Sequence, residues 1–256
     1  MPVKKGTTLI VLATDDGLLI AADDIMYREQ EGQAIPVKQN VRKVWAMGNI
    51  MIGSSGILFC PEIEYEFENW IANFIEAHRG ATDKLPSDIA EAIHVKMRET
   101  FQPVETLVKK GKWEAHAPGE RLVNYVIAGY TKNFRKPYIF EVGAEVNSAG
   151  DGLRYIAPLH HVHQLPHRVW FGEDQFFLRA EERKEPEASL LGSIASDALN
   201  AVAVQLPDIP EPLQETVAIV VGSVKVEAHF NPNKVGDAVN LIVIDRASRK
   251  HYLAIF

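Results

Sequence analysis

Two short apolar segments at the start of the chain constrain the fold most. Residues 7–14 and 18–23 each have the length of a β-strand, and the turn Asp15-Asp16-Gly17 joins them. The first segment is apolar on both faces, which is typical of a strand that is covered on two sides. The sequence therefore predicts two short strands joined by a turn, of which the first is covered on both faces.

A candidate cleavage site lies at the start of the first segment, between Gly6 and Thr7. Gly6 precedes Thr7, so a cut after Gly6 would give Thr7 a free α-amine beside its hydroxyl. An N-terminal amine is one of the few bases that can activate a threonine hydroxyl without a histidine. A Gly-Thr step is common by chance, and Thr7 could equally be a β-branched residue at the start of a strand.

The remaining pattern alternates runs of strands with runs of helices. This order favours an α+β architecture, and no composition break divides the chain. Residues 28–40 look like a long hairpin loop, whereas 212–228 are ambiguous and favour strand by propensity. The other predicted elements are hairpins over 42–53 and at 251–256, helices over 63–77, 87–101 and 188–205, and strands over 122–128, 137–142, 153–156, 168–171 and 238–245.

Composition excludes several classes of partner. The chain has 256 residues, 46% of them hydrophobic and 24% charged, and a formal net charge of −7. Acidity argues against nucleic acid and against an anionic membrane as the main partner. A lone cysteine, Cys60, permits no intrachain disulfide, and no apolar run reaches the roughly 20 residues of a membrane span. The expected location is the cytoplasm, and no phosphate-binding, dinucleotide-binding or metal-binding motif predicts a cofactor.

Three marks in the first 56 residues resemble one known superfamily. They are Gly6-Thr7-Thr8, the strand end Ile20-Ala21-Ala22-Asp23, and Arg42-Lys43-Val44 followed by a hairpin into Ser54-Ser55-Gly56. Their order and spacing resemble the proteasome β-subunit superfamily of N-terminal nucleophile hydrolases, which includes HslV-type peptidases and other bacterial proteasome homologues. The stretch around Gly236 resembles the passage from the last helix to a strand in that family.

This resemblance implies a fold and a set of residue roles. It implies a four-layer αββα sandwich, with residues 1–6 as a propeptide and 7–256 as one domain. Thr7 would be the nucleophile, and Lys43 would lower the barrier to its deprotonation while the α-amine or a water carries the proton. Asp23 would pair with Lys43, and the Gly56 N–H would stabilise the oxyanion. Met26, Val41, Ser54 and Leu58 would line an apolar pocket for the residue before the scissile bond.

The resemblance also implies an assembly and a substrate class. Members of the superfamily form closed rings, so we expect a homo-oligomeric ring that hydrolyses peptides or unfolded polypeptides, with an ATPase partner that the sequence does not identify. A small-amide amidohydrolase of the same fold and a non-catalytic scaffold that keeps residues 1–6 remain alternatives. The scaffold is favoured by two departures from the family pattern, which are Ile25 in place of an arginine and Phe171-Gly172-Glu173 in place of Ser-Gly-Ser.

Two other groups of residues have simpler interpretations. His160, His161, His163 and His167 are close in sequence, but nearby prolines predict an exposed loop rather than a metal site. Cys60 has no histidine-bearing motif around it, so it is predicted to be a buried structural thiol rather than a nucleophile.

Overall fold

A computed structural model describes residues 4–6, 8–31, 33–79, 85–111, 113, 118–131, 133–161, 164–172, 182 and 186–256. Within these ranges the chain forms both helices and strands. The strands are β1 Lys4–Gly6, β2 Leu9–Ala13, β3 Gly17–Asp23, β4 Met26–Gln30, β5 Gln33–Lys38, β6 Val44–Met47, β7 Ile50–Cys60, β8 Tyr65–Glu66, β9 Arg121–Tyr130, β10 Pro137–Val146, β11 Leu153–His160, β12 His167–Phe171, β13 Val239–Asp245 and β14 His251–Ile255. The α-helices are α1 Phe67–Ala77, α2 Pro86–Lys109, α3 Glu187–Gln205 and α4 Glu211–Phe230.

The strands form two antiparallel sheets. The larger sheet has the order β11-β10-β9-β7-β1-β4-β5, with β6 and β8 also paired to β7. The smaller sheet has the order β12-β2-β3-β13-β14, so the opening hairpin β2–β3 lies at its centre. Four of the five residues of β2 are buried, as the apolar character of both its faces predicted, and all seven residues of β3 are buried as well.

Three hydrophobic clusters hold these elements together. The first joins α1 and α2 to the larger sheet and includes Phe67, Phe101 and Tyr125. The second joins α3 and α4 to the smaller sheet. The third contains residues of both sheets, such as Leu9 and Ile20 from the smaller and Val126 from the larger, and therefore lies between them. The structure is thus a mixed α and β protein with two antiparallel sheets and helices packed on each.

Two segments differ from the sequence-based expectation. Residues 28–40 are mostly strand, because β4 and β5 pair along their length from Met26–Lys38 to Gln30–Gln33. The segment 212–228 is helix α4, although its valines favour strand. This helix is buried along most of its length, and packing of β-branched side chains in a core outweighs their small intrinsic preference against helix.

Smaller differences concern the ends of elements. Helix α2 continues through Pro103 to Lys109, beyond the predicted end at residue 101. Cys60 is the last residue of β7, and α1 starts at Phe67, later than the pattern from residue 63 predicted. His160 is the last residue of β11, not part of an exposed loop. None of the helices in the described ranges is long and apolar enough to span a membrane.

Candidate active site at the end of the central hairpin

Asp23, at the end of β3, is a buried carboxylate with every oxygen occupied. Its side chain is 0% exposed. The Oδ1 atom accepts hydrogen bonds from the Thr8 backbone N at 2.9 Å and from Lys43 Nζ at 2.6 Å. The Oδ2 atom accepts from the backbone N of Ile25 at 3.1 Å and of Gly236 at 3.0 Å. Four donors from separate parts of the chain therefore hold this carboxylate in one orientation.

Lys43 is the only charged partner in that set, and its ammonium is also 0% exposed. The residue precedes β6, and its carbonyl accepts a hydrogen bond from Ser54 N on β7 at 3.0 Å. Burial lowers the pKa of Lys43 from its usual value, and the neighbouring Asp23 carboxylate opposes that shift. A lysine that is buried from solvent beside a carboxylate is suited to proton transfer or to stabilisation of a nearby oxygen nucleophile.

Gly6 brings the backbone of β1 against this lysine. A Cβ atom added to Gly6 would lie 2.7 Å from Lys43 Cε and 2.9 Å from Lys43 Nζ, so the Gly6 backbone and the ammonium are in direct contact. Strand β1 runs between β4 and β7 and pairs with both, through Lys5–Tyr27 on one side and Lys5–Ile57 on the other. The peptide group that follows Gly6 therefore starts beside the Asp23–Lys43 pair.

Gly56 lies directly opposite Gly6 in the β1–β7 pairing. Its φ is +85°, a conformation that side-chain-bearing residues rarely adopt, and an added Cβ would clash with the Leu122 carbonyl oxygen. Glycine is thus required at this position for two independent steric reasons. The structure brings Gly56, Lys43 and Asp23 to the same end of the central hairpin.

Thr7, the predicted nucleophile, lies outside the described residues. Its two neighbours in the chain are described, and both contact the site. Gly6 lies against Lys43, and the backbone N of Thr8 donates to Asp23. The Thr8 side chain is buried, and its hydroxyl has no hydrogen-bond partner among the described residues.

Gly236 is a site residue that the sequence analysis did not assign. Its N–H donates to Asp23, and an added Cβ would collide with Asp24 Oδ1 and lie 2.9 Å from the Ile25 backbone N. It belongs to the loop before β13, far from Asp23 in sequence. The one sequence signal for it was the resemblance of this passage to the family pattern, which pointed to the element but not to the hydrogen bond.

Asp24 anchors the loop that leads to Lys43. Its Oδ2 atom accepts a hydrogen bond from Asn40 N at 2.9 Å, and its carbonyl accepts one from Val41 N at 2.8 Å. These bonds tie the end of the β4–β5 hairpin to the end of β3. The position of Lys43 therefore depends on the carboxylate that follows Asp23 in the chain, as well as on Asp23 itself.

The residues predicted to line a specificity pocket are all buried. Met26, Val41 and Leu58 belong to the first hydrophobic cluster, and Ser54 is 0% exposed. Of these, Leu58 is in contact with the backbone of Gly6, where an added Cβ would overlap its Cδ1 atom.

A cleft of about 940 Å³ lies beside this site, between α3, α4 and the loop before β13. Asp24, Ile25 and Gly236 line it, so it borders the backbone that holds Asp23. Asp23 and Lys43 are not among its lining residues. The cleft is therefore adjacent to the buried pair and is not continuous with it.

One histidine of the histidine-rich segment contacts a carboxylate that an arginine also binds. His161 Nε2 lies 2.9 Å from Glu141 Oε2, and Arg121 binds both Glu141 and Glu145. No group of three metal-binding side chains is found in the described ranges, and His163 lies outside them. Burial raises the pKa of Cys60 to about 12, which makes it unsuited to act as a nucleophile at neutral pH.

The similar proteins were found by comparison of three-dimensional structures, because no protein-family model and no curated protein matches the sequence. A Gly-1 mutant of Anbu from Hyphomicrobium sp. strain MC1 has a TM-score of 0.56 at 14% identity, over 98% of this chain and 86% of the other. Anbu from Yersinia bercovieri, described as an ancestral β-subunit, has a TM-score of 0.55 at 13% identity, over 96% and 86% of the two chains.

A third structure, described as a helical assembly of the Anbu complex from Pseudomonas aeruginosa, has a TM-score of 0.55 at 15% identity, over 97% and 86% of the two chains. These likenesses show that the chain has the Anbu fold. They correct the assignment made from sequence, which was to a proteasome β-subunit-like N-terminal nucleophile hydrolase of the HslV type or another bacterial proteasome homologue. Short motifs such as Gly-Thr and Ala-Ala-Asp are common by chance, so they do not identify one family.

Proposed function

We propose that this protein is an N-terminal threonine hydrolase that removes residues 1–6 and then cleaves peptide bonds through an ester on Thr7. In this proposal Thr7 supplies the nucleophile, Lys43 promotes loss of its proton, Asp23 holds Lys43, and the Gly56 N–H stabilises the oxyanion. The remaining chain, 7–256, acts as one domain.

One observation carries the proposal. The buried Asp23–Lys43 pair lies against the backbone of Gly6, the residue just before the bond to be cut. A buried ion pair is weak evidence for a role in stability, because its desolvation costs about as much as its attraction gains. A pair that also touches the Gly6 backbone is therefore better explained by chemistry at that bond than by stability.

The proposed self-cleavage balances without any cofactor. The Thr7 hydroxyl oxygen attacks the carbonyl carbon of Gly6. The peptide bond between this carbon and the Thr7 nitrogen breaks, and the hydroxyl proton ends on the released amine. Water then attacks the new ester, which frees residues 1–6 as a carboxylate and restores the hydroxyl. The same two steps would cleave a second chain, with the new α-amine of Thr7 as an additional base.

Strand β1 suggests how that second chain binds. Lys4 and Lys5 pair with β4 on one side and with β7 on the other. Once β1 has left, the edges of β4 and β7 present unpaired backbone groups, which an extended peptide can satisfy. This supports a peptide rather than a small amide as substrate. The sandwich of four layers that the proposal assumes is supported by the three hydrophobic clusters.

The proposal includes assembly of identical subunits, with the active sites enclosed in a ring. Support comes from the Anbu structure described as a helical assembly, which shares the fold. Light scattering coupled to size exclusion measures the mass of the assembly, and electron microscopy distinguishes a closed ring from an open helix. An ATPase partner would be expected only if folded proteins, and not just peptides, are substrates.

The intact mass of purified protein tests the proposal. We expect a species that starts at Thr7, and we expect Thr7→Val to retain residues 1–6 because it keeps the β-branched shape without the hydroxyl. Thr7→Ser, which keeps the hydroxyl, is the matched control and should be processed. Wild-type protein that keeps residues 1–6 after prolonged incubation would overturn the proposal.

A second candidate is a non-catalytic scaffold that retains residues 1–6. The observation that favours it is the pairing of β1 on both sides, which makes this strand an integral part of the larger sheet. The same mass measurement separates the two candidates. If the protein is a scaffold, wild type, Thr7→Val and Thr7→Ser all keep residues 1–6, and their masses differ only by the substituted side chain.

A further inference from the structure

We infer that strand β14 is an assembly surface, on which β14 of a second copy of this chain pairs in antiparallel orientation about a two-fold axis. The inference involves no catalytic step and holds for an enzyme and for a scaffold alike. Of the proposed function it shares only the assembly of identical subunits, for which it names one contact and the symmetry of that contact.

Strand β14 ends the smaller sheet, and in the described ranges it pairs with β13 alone. Val239 and Phe256 exchange both of their backbone hydrogen bonds. Every second residue of β14, counted back from Phe256, therefore directs its N–H and C=O toward β13. The residues between them, which direct these groups away from the sheet, are His251, Leu253 and Ile255.

Two of these outward residues also have exposed apolar side chains. Leu253 is 54% exposed and Ile255 is 64% exposed. Leu253 pairs with Ile242, which belongs to the cluster between the sheets, so both side chains lie on that face of the smaller sheet. Their exposure shows that the larger sheet does not cover β14 there. An added strand would satisfy the backbone groups and cover these side chains at the same time.

The other strands that end a sheet have features that oppose such pairing. Strand β5 contains Pro36 and Lys38, β11 contains Arg154 and Pro158, and β12 contains Arg168. Prolines and charged side chains are the usual protection of an edge strand, and a very short strand is protected by its length. Strands β6 and β8, which pair beside β7, have only four and two residues.

Strand β14 has none of these protections. It has five residues and contains no proline, lysine, arginine, aspartate or glutamate. Burial lowers the pKa of His251 from its usual value, so this residue is also uncharged at neutral pH. An uncharged edge with outward backbone groups and apolar side chains favours pairing with a further strand over exposure to water.

The strand that fits this edge is β14 itself in the opposite direction. A pair centred on Leu253 places Leu253 opposite Leu253 of the second copy, and His251 opposite Ile255 of the second copy. All three positions direct their N–H and C=O groups toward the other strand, so each group finds a partner. The two Lys250 residues then lie at opposite ends of the pair, about 20 Å apart and beyond the Debye length of roughly 8–10 Å, whereas a parallel pair would place them side by side.

The symmetry of this contact limits the assembly. A two-fold contact joins subunits in pairs and does not by itself close a ring, so a ring needs a second interface elsewhere on the subunit. An assembly in which every β14 is paired contains an even number of subunits. An odd number of subunits in the assembled wild-type protein would therefore overturn the inference.

A charge at the centre of the pair tests the contact. We expect Leu253→Lys to raise the dissociation constant of the pair at least about 10-fold, because two lysines would lie opposite each other. Leu159→Lys is the matched control, because Leu159 is 50% exposed on the protected edge strand β11. Size exclusion with light scattering over a dilution series measures assembly, and circular dichroism checks the fold. Equal assembly of the two folded variants would overturn the inference.

A cysteine at the same position tests the register. Opposite residues of a hydrogen-bonded antiparallel pair have Cα atoms about 5.5 Å apart, a distance that suits a disulfide. We expect Leu253→Cys to give a covalent dimer on mild oxidation. Leu159→Cys should not, and neither should wild type, whose Cys60 is buried. Assembly of Leu253→Cys without this cross-link would overturn the β14 contact.

The outcomes separate this inference from the proposed function. Wild-type protein that stays monomeric but releases residues 1–6 overturns the β14 contact and leaves the proposed chemistry intact. Wild-type protein that assembles, whose Leu253→Cys variant forms the cross-link, and that keeps residues 1–6 supports the contact and overturns the proposed chemistry.

Discussion

Lys43 Nζ and Asp23 Oδ1 are 2.6 Å apart, and neither side chain has any exposed surface. Three backbone N–H groups complete the shell of the carboxylate, from Thr8, Ile25 and Gly236. The ion pair therefore connects the start of the chain, the segment before β6 and the loop before β13. Substitutions at these positions test separately what each group contributes to stability and to the proposed processing.

Asp23→Asn should destabilise the protein strongly. The amide cannot balance the buried Lys43 charge, and its NH₂ group would face N–H donors where Oδ2 now accepts them. Removal of one partner of a buried pair costs about 3–5 kcal/mol. Urea unfolding measures the loss, with the exposed Asp16→Asn as control, for which we expect a change below about 0.5 kcal/mol. A similar small change for Asp23→Asn would contradict the role given to the pair.

Lys43→Met should cost less stability than Asp23→Asn, because Asp23 keeps its three backbone donors while the ammonium is removed. It should nevertheless stop release of residues 1–6 under the proposed function. Urea unfolding and intact mass give the two readouts, and Lys38→Met, at a half-exposed lysine paired with Glu68, is the control. Normal processing in Lys43→Met would remove this lysine from the mechanism.

Gly236→Ala should impair processing without a change at any charged residue. The new methyl would collide with Asp24 Oδ1, so the loop must move and the hydrogen bond to Asp23 must lengthen. We expect slower release of residues 1–6, followed by intact mass over time, together with a lower melting temperature. Gly192→Ala, in the interior of α3, should instead raise stability by up to about 1 kcal/mol, because alanine is the better helix former.

Stability should fall at alkaline pH because of two buried tyrosines. The hydroxyls of Tyr65 and Tyr125 are 2.8 Å apart, and burial raises the pKa of both above the usual value of 10. Above about pH 10 the folded state therefore binds more protons than the unfolded state. The contribution of the two tyrosines to the free energy of unfolding is complete below that pH and is lost as the pH rises.

Denaturation monitored by circular dichroism across pH 9–12 checks this expectation. Replacing both tyrosines with phenylalanine removes the titrating groups and leaves no single hydroxyl unpaired, so the alkaline loss should become shallower. Tyr138→Phe, at a half-buried position on β10, serves as the control substitution. An unchanged alkaline slope in the double variant would show that other groups cause the loss.

The parts of the site that the sequence predicted are those marked by short motifs. Asp23 and Lys43 were assigned because Ala21-Ala22-Asp23 and Arg42-Lys43-Val44 resemble motifs of a known superfamily, and such motifs are local in sequence. No motif marked the hydrogen bond of Gly236, because its N–H bonds to a residue 213 positions away. The same resemblance placed Leu58 near the residue before the scissile bond, whereas the close approach of Leu58 to Gly6 depends on the pairing of β1 with β7.

The wrong assignment of residues 28–40 and the ambiguity of residues 212–228 have the same physical origin. Residues 212–228 favour strand by propensity, yet they form α4 because a helix buries their valines against the smaller sheet. Residues 28–40 are polar and contain Gly32 and Pro36, yet β4 and β5 pair with each other and β4 pairs with β1. In both cases long-range partners decided the conformation, and a window of neighbouring residues does not contain them.

The sequence by itself determined the opening hairpin and the α+β class, because alternation and turns are local properties, and short motifs that resemble a known superfamily were the basis for assigning Asp23, Lys43 and Gly56 to the site. Only the tertiary structure decided that Lys43 lies against Gly6, that Gly236 completes the shell of Asp23, and that Leu58 fills the space beside the scissile position. These contacts join β1, β7 and the loop before β13, and their geometry follows from the packing of two sheets.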